Sequence, residues 1–263
     1  MNTQEKSVSG NNCGDSAGAL FVVGIGPGGR DDRTFRAEKA IALCDVVVGY
    51  DRYLENVADL TAGKEIISSG MTKEADRCRF ALEKAAQGKK VALVSSGDAG
   101  VYGMAGLALE LKREMDSRVP IEIIPGVSAA NAAAARLGAP LMLDYATISL
   151  SDLLVPWEMI RKRLEAVASA DFVTALYNPK SKKRVGQLAE AAEIFRKHRP
   201  GSTPVGVCES VGYGGEEKIV ISDLDHFLDE KIGMMSIVII GNSETFSHGG
   251  WMITPRGYKG KRF

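Results

Sequence analysis

From Leu20 to about Pro140, short uninterrupted apolar runs alternate with stretches of helical spacing, and each run ends in glycine, serine or proline. Leu20-Phe21-Val22-Val23, Asp45–Gly49, Glu65–Ser68, Lys90–Ser95 and Ile121–Ile124 read as strands. Between them, Thr34–Cys44, Asp51–Leu60, Glu74–Gln87, Met104–Met115 and Ser128–Leu137 read as helices. Phe35, Ala40, Ile41 and Cys44 are expected on the inner face of the first helix, and Gly88 closes the third as its C-cap. Strands without polar alternation are buried on both faces, so this half is expected to be a mostly parallel sheet with helices on both sides.

After Pro140 the pattern restarts with proportionally more strand. Tyr145–Leu150, Phe172–Tyr177, Pro204–Cys208, Lys218–Ile221 and Ser236–Ile240 read as strands, and Trp157–Ala168 and Arg184–Lys197 as helices. The expectation is therefore two α/β domains, 20–142 with a parallel sheet and 143–263 with a mixed sheet, and an active-site cleft between them. Residues 1–19 are polar and rich in Gly, Ser and Asn, which reads as a disordered tail without an apolar signal region.

Composition removes several function classes. Lys+Arg and Asp+Glu both total 33, so nothing favours a nucleic-acid partner held by phosphate neutralisation. No run approaches the ~20 apolar residues of a membrane span, and the chain is expected to work in the cytoplasm. Cys13, Cys44, Cys78 and Cys208 lack metal-ligand or redox spacing, and His198, His226 and His248 are scattered. The cysteines read as small hydrophobes; neither a protein-bound metal nor a Cys/His nucleophile is expected.

Gly24, Gly26 and Gly29 satisfy G-x-G-x-x-G directly after a strand, the pattern of a dinucleotide-binding turn. Such a turn holds pyrophosphate on backbone N–H groups at a helix N-terminus. Here Pro27 removes one donor, Asp31 and Asp32 bring like charge, and the helix starts only near Thr34. A nicotinamide-dependent oxidoreductase is thus the weaker reading. A tight turn whose glycines supply positive φ, or a loop flattened against a large ligand, fits better.

Four further segments follow strands in order: Ser95-Ser96-Gly97-Asp98-Ala99-Gly100-Val101-Tyr102-Gly103, Pro125-Gly126-Val127-Ser128-Ala129-Ala130, Leu176-Tyr177-Asn178-Pro179-Lys180-Ser181, and Pro204-Val205-Gly206-Val207-Cys208-Glu209. With Val23–Gly28 they resemble the successive motifs of the tetrapyrrole (corrin/porphyrin) methylase family, from about Leu20 to Tyr258. Gly70–Glu74, Ile148–Trp157 and Met252–Tyr258 are similar to the branch that methylates ring D of a precorrin at C-17 and contracts the macrocycle. Another regiospecific tetrapyrrole methylase is the alternative within the family. In the first loop Gly29-Arg30 intervene before the acidic pair, a departure from the family's usual spacing.

The resemblance implies S-adenosyl-L-methionine as co-substrate, a tetrapyrrole as substrate and a homodimer. It implies that Pro27, Gly97, Asp98, Ala99, Val101, Tyr102, Ser128 and Ala129 hold the cofactor, with Asp98 accepting from its amino group. Tyr177, Asn178, Gly206 and Val207 would frame adenine and ribose, and Pro27 and Gly28 would line the floor of the substrate trough. The plainer readings are a turn or cap role for Asp98, an N-cap for Ser128 and an ordinary strand-end aromatic for Tyr177. Asp98→Asn is expected to weaken cofactor binding with the fold intact. Substrate carboxylates call for cations, of which Arg136, Lys180, Lys182, Lys183, Arg184 and Arg256 are candidates. For proton handling in ring contraction the candidates are Asp98, Asp144 and Asp152, with Ser149 and Ser151 as hydrogen-bond donors.

Overall fold

The computed structural model describes residues 18–70 and 73–258. The tail expected over residues 1–19 lies outside the described residues except for Gly18 and Ala19, and Ala19 already belongs to the first strand. Met71 and Thr72, within one of the motif stretches, also lie outside. The described residues group into two compact units, and neither is continuous in sequence. The first takes the described parts of Met1–Val23, Arg36–Ser95 and Met104–Ile124. The second takes Gly24–Phe35, Ser96–Gly103 and the described part of Pro125–Phe263. The sequence pattern had suggested one cut near residue 142. The grouping instead assigns two strand-end loops and the helix at Ala129–Leu137 to the second unit.

The first unit is built from β1 (Ala19–Gly24), α1 (Phe35–Ala42), β2 (Val46–Tyr50), α2 (Asp51–Glu55), β3 (Glu65–Ser69), α3 (Glu74–Ala86), β4 (Lys90–Ser95), α4 (Ala105–Glu114) and β5 (Ile121–Ile124). Its sheet has the order β3-β2-β4-β1-β5, and the β1–β5, β2–β3 and β2–β4 pairs are parallel. Connections from β1 to β2 and β2 to β3 run one way across the sheet, and those from β3 to β4 and β4 to β5 run the other. Right-handed crossovers then put α1 and α2 on one face and α3 and α4 on the opposite face, and α3 indeed packs on α4. Val22, Val23, Val46, Val47, Val48 and Val91–Val94 are buried, as a sheet covered on both sides requires. Gly88, at φ 87°, ends α3 in the left-handed conformation, its N–H donating to Ala85. One expectation fails. Phe35 is 84% exposed, and the inner face of α1 is carried by Ala37, Ala40 and Ile41.

The second unit contains α5 (Ala129–Leu137), β6 (Gly138–Ala139), β7 (Tyr145–Ser149), α6 (Trp157–Ser169), β8 (Val173–Tyr177), α7 (Gln187–Arg196), β9 (Pro204–Glu209), β10 (Lys218–Asp223), β11 (Ser236–Ile240), β12 (Phe246–His248) and β13 (Trp251–Ile253). The main sheet runs β10-β9-β11-β8-β7, parallel only at β7–β8, so the expected mixed sheet is present. Side chains alternate along β11. Ile237 and Ile239 face the Ala-rich α5, while Val238 and Ile240 face α6 and α7. The unforeseen element is a small sheet, β12-β13-β6, in which Met252 and Ile253 pair with Gly138 and Ala139.

Close approach of α5 explains Gly206 in the middle of β9. A Cβ there would lie 2.3 Å from Cδ1 of Leu137, which is fully buried and has no room to yield. Arg199 is likewise structural. Its buried guanidinium donates to the carbonyls of Gly241 and Phe172, pairs with Asp171 and stacks over Phe195. Overpacking a filled core costs about 1–3 kcal/mol. Gly206→Ala is therefore expected to lower the unfolding free energy by about that amount in urea denaturation, and combining it with Leu137→Ala should cost less than the sum of the two single losses.

Candidate active site

Three loops that follow β1, β4 and β5 meet through their backbones. Gly26 and Gly97 exchange two hydrogen bonds, Gly26 N–H to Gly97 O at 3.1 Å and Gly97 N–H to Gly26 O at 2.7 Å. Both glycines have positive φ, 80° and 65°. A Cβ on Gly126 would stand 2.3 Å from Gly97 O, and one on Gly24 would stand 2.7 Å from Gly126 N. Only glycine permits these distances. The loop after β1 is further pinned where Gly29 N–H donates to Gly212 O at 2.6 Å, and a Cβ on Gly28 would meet the Gly212 backbone at 2.4 Å. Pro27 and Gly28 are buried against the chain, so they do not form an open trough floor.

This geometry disposes of the dinucleotide turn. The N–H groups of Gly26 and Gly29 already donate to carbonyls, Pro27 has none, and a 3-10 turn at Arg30–Asp32 separates the glycines from α1.

Asp98 ties two of the loops together. Its Oδ1 accepts from Gly100 N–H at 2.8 Å and its Oδ2 from Gly126 N–H at 3.0 Å. Asp98→Asn therefore carries a stability cost beside any effect on cofactor binding, since an amide would turn an NH2 toward one of those donors. Ser128 caps α5, its Oγ accepting from Asn131 N–H at 3.2 Å. Tyr177 reaches the same helix end, where its hydroxyl oxygen accepts from Ala130 N–H at 3.0 Å. Burial is the main influence on this phenol and pushes its pKa up. The ring of Tyr102 packs on that of Tyr177 with centroids 5.0 Å apart, and the Tyr102 hydroxyl donates to Thr147 O at 3.0 Å. Ala99 is buried behind the loop, and Val101 is partly exposed.

Beside the tyrosine pair opens a cleft of about 340 Å³, lined among others by Tyr102, Ser149, Ser151, Arg163 and Asn178. Asn178 Nδ2 donates to Ser149 Oγ at 2.9 Å, and Ser151 N–H donates to the same oxygen at 3.2 Å. Tyr102 and Asn178 both hold left-handed φ, 53° and 50°. In the loop between β7 and α6, Leu153 and Leu154 stand 79% and 96% exposed.

Several sequence candidates lie elsewhere. Asp144 is exposed ahead of β7 and does not line the cleft. Asp152 is exposed and accepts from Gln187 Nε2 at 3.0 Å. Gly206 and Val207 are buried mid-strand in β9, paired to β10 and β11 on both sides, with Val207 inside the α6/α7 core. Two of the proposed carboxylate binders are already engaged. Arg136 bridges Asp32 and Glu217 at 3.2 Å each, beside a smaller hollow of about 220 Å³, and Arg184 donates twice to Asn178 O. Lys182, Lys183 and Arg256 are exposed and Lys180 half-buried, none of them in the cleft. Arg163 was missed. The available signal was its place three residues after Ile160 on α6, which puts both on one helix face.

Cys44, Cys78 and Cys208 are buried, and burial pushes each thiol up to about 12. Among the described residues no group of three or more His, Cys, Asp or Glu is placed to hold a metal ion. No helix among them is long and apolar enough to cross a membrane.

Residues 19–227 match the family model described as Tetrapyrrole (Corrin/Porphyrin) Methylases. The chain is 49% identical over 93% of its length to a cobalt-factor III methyltransferase of Priestia megaterium, spanning 46% of that protein. It is 48% identical over 91% of its length to a probable cobalt-factor III C(17)-methyltransferase of Salmonella typhimurium, spanning 99% of it. Among solved structures, that of the methyltransferase CobJ is similar with a TM-score of 0.85 at 36% identity, covering 91% of this chain and 100% of that one.

Two outcomes are expected here. Asp98→Asn should lower stability by about 1–2 kcal/mol in urea denaturation, the loss of one acceptor facing a backbone donor. A thiol-alkylating reagent at pH 8 should leave Cys44, Cys78 and Cys208 unmodified until urea is added, because the reactive thiolate is scarce far below a pKa of about 12; peptide mass spectrometry reads the result.

Proposed function

The chain belongs to the tetrapyrrole (corrin/porphyrin) methylase family, and we propose that it transfers a methyl group from S-adenosylmethionine to C-17 of a cobalt-bearing tetrapyrrole, with ring contraction, in cobalamin biosynthesis. The observation that carries this reading is the 48% identity to the Salmonella typhimurium relative over 99% of that protein's length. The two relatives described above are both named for cobalt-factor III, which supports the cobalt-bearing substrate over the metal-free precorrin-3B.

The residues present fit the methyl donor. Glycine backbones at Gly24, Gly97 and Gly126 leave no Cβ between the loops and give a flat peptide surface. The capped first turn of α5, at Ser128 and Ala129, offers backbone N–H groups and the positive end of the helix to a carboxylate. Asp98, half-buried, retains lone pairs for an ammonium group while it holds Gly100 and Gly126. Tyr102 and Tyr177 supply an aromatic wall, and Asn178 an amide already oriented by Ser149. When bound, S-adenosylmethionine supplies an electrophilic methyl group on a sulfonium.

What these residues contribute is placement and exclusion of water, the main demands of an in-line displacement at methyl carbon. Proton movement during ring contraction falls to hydroxyl groups. Tyr102, Ser149 and Ser151 line the cleft, whereas Asp144 and Asp152 do not. The Ser149 hydroxyl, already accepting from Asn178 and Ser151, has its own proton left to donate. Action in the cytoplasm as a homodimer is part of the proposal, supported by the family resemblance.

Incubation with cobalt-factor III and methyl-13C S-adenosylmethionine should place the label at C-17 by NMR. Conversion of precorrin-3B in preference overturns the cobalt assignment, and label at another carbon overturns the regiochemistry. Calorimetry should detect S-adenosylhomocysteine and not NAD.

A further inference from the structure

The proposed substrate is a flat macrocycle fringed with carboxylates, and two of the cations that the sequence nominated for it are committed elsewhere. Arg136 lies between Asp32 and Glu217, and Arg184 holds the Asn178 carbonyl. Arg163 is different. It lies on α6, is exposed and lines the cleft beside Tyr102, Ser149 and Asn178, and no carboxylate lines that cleft. Its neighbour Arg161 is paired with Glu158 and Glu190, while Arg163 pairs with no acidic side chain among the described residues.

Apolar side chains share the cleft with Arg163. Ile148, Val155 and Ile160 line the cleft with it, and Leu154 stands at the edge almost wholly in water. A leucine held out on a loop has no partner in its own fold, and an exposed apolar side chain beside an uncommitted arginine suits a ligand that is apolar across its face and anionic at its rim. Hydroxyl and amide groups of Ser149, Tyr102 and Asn178 add polar contacts and no competing negative charge.

We propose that Arg163 binds one peripheral carboxylate of the tetrapyrrole, with Leu154 packed against the face of the macrocycle, so that this segment sets which acid-bearing edge of the pigment enters the cleft. The inference rests on the functional reading above and adds a specificity-determining residue to it. A guanidinium meets a carboxylate through two parallel N–H···O bonds, and one such contact at a partly solvated site is worth about tenfold in affinity.

Absorbance titration of cobalt-factor III into the protein saturated with S-adenosylhomocysteine tests it. Arg163→Gln should raise the Kd about tenfold and Arg163→Glu more, while Arg163→Lys, which keeps the charge and loses the paired N–H geometry, should fall between the wild type and the Gln variant. Binding to the Gln variant should also depend less on salt, as expected when one charge contact is gone. Affinity for S-adenosylhomocysteine should stay unchanged in all three, which separates charge recognition from loss of fold. Leu154→Ser should weaken pigment binding without altering the salt dependence. An unchanged Kd in both Arg163→Gln and Arg163→Glu overturns the assignment. Failure of the wild-type protein to bind the pigment while it binds S-adenosylhomocysteine overturns the functional reading instead.

Discussion

The contact on which the site depends is one between backbones. Gly24, Gly26, Gly97 and Gly126 bring three loops together, and a single added methyl at Gly24 or Gly126 would lie within 3 Å of main-chain atoms of a neighbouring loop. Packing of peptide against peptide leaves no side chain to adjust, so these loops are fixed by the strands that deliver them and by the bonds they exchange. The other site features attach to this junction. Asp98 bonds across it to Gly126, α5 begins just beyond it, and the Tyr177 hydroxyl oxygen accepts from the second residue of that helix.

Strands and helices were legible because their signals are local. Uninterrupted apolar runs report burial on both faces in β2 and β4, though Ile66 and Ile123 of the edge strands are exposed, and the breaks after the runs report loops. The first glycine motif was legible as a tight turn with positive φ, which Gly26 adopts, though the contact of Gly26 with Gly97 was not. Gly206 illustrates the limit. Its motif suggested a ligand, whereas the space it leaves is filled by Leu137, a residue of another element. The small sheet joining Gly138–Ala139 to Met252–Ile253 escaped for a similar reason, since strands of two and three residues carry no periodicity and the partners are far apart in the chain.

Charged residues were the least legible class. Composition identifies an arginine, but its partner decides its use. Arg136 and Arg184 looked available and are engaged; Arg163 was not singled out and lines a cleft. The acids behave in the same way. Asp98 sits in a ligand-type motif yet has a clear tethering duty, and Asp152 turns to Gln187. The difference is one of tertiary geometry, because ion pairs and hydrogen bonds between distant segments have no signature in spacing along the chain.

Tyr102 and Asn178, which flank the cleft, share a backbone conformation that is unfavourable for residues bearing a Cβ, on the order of 1 kcal/mol each. Each is held there by a bond, Tyr102 through its hydroxyl to Thr147 and Asn178 through Arg184 on its carbonyl. Glycine at either place would relax the main chain and at the same time release the aromatic wall or the amide from its aim. Heat resistance and the shape of the cleft therefore draw on the same two torsion angles, and a variant adapted to a hotter habitat would have to find its extra stability elsewhere in the molecule.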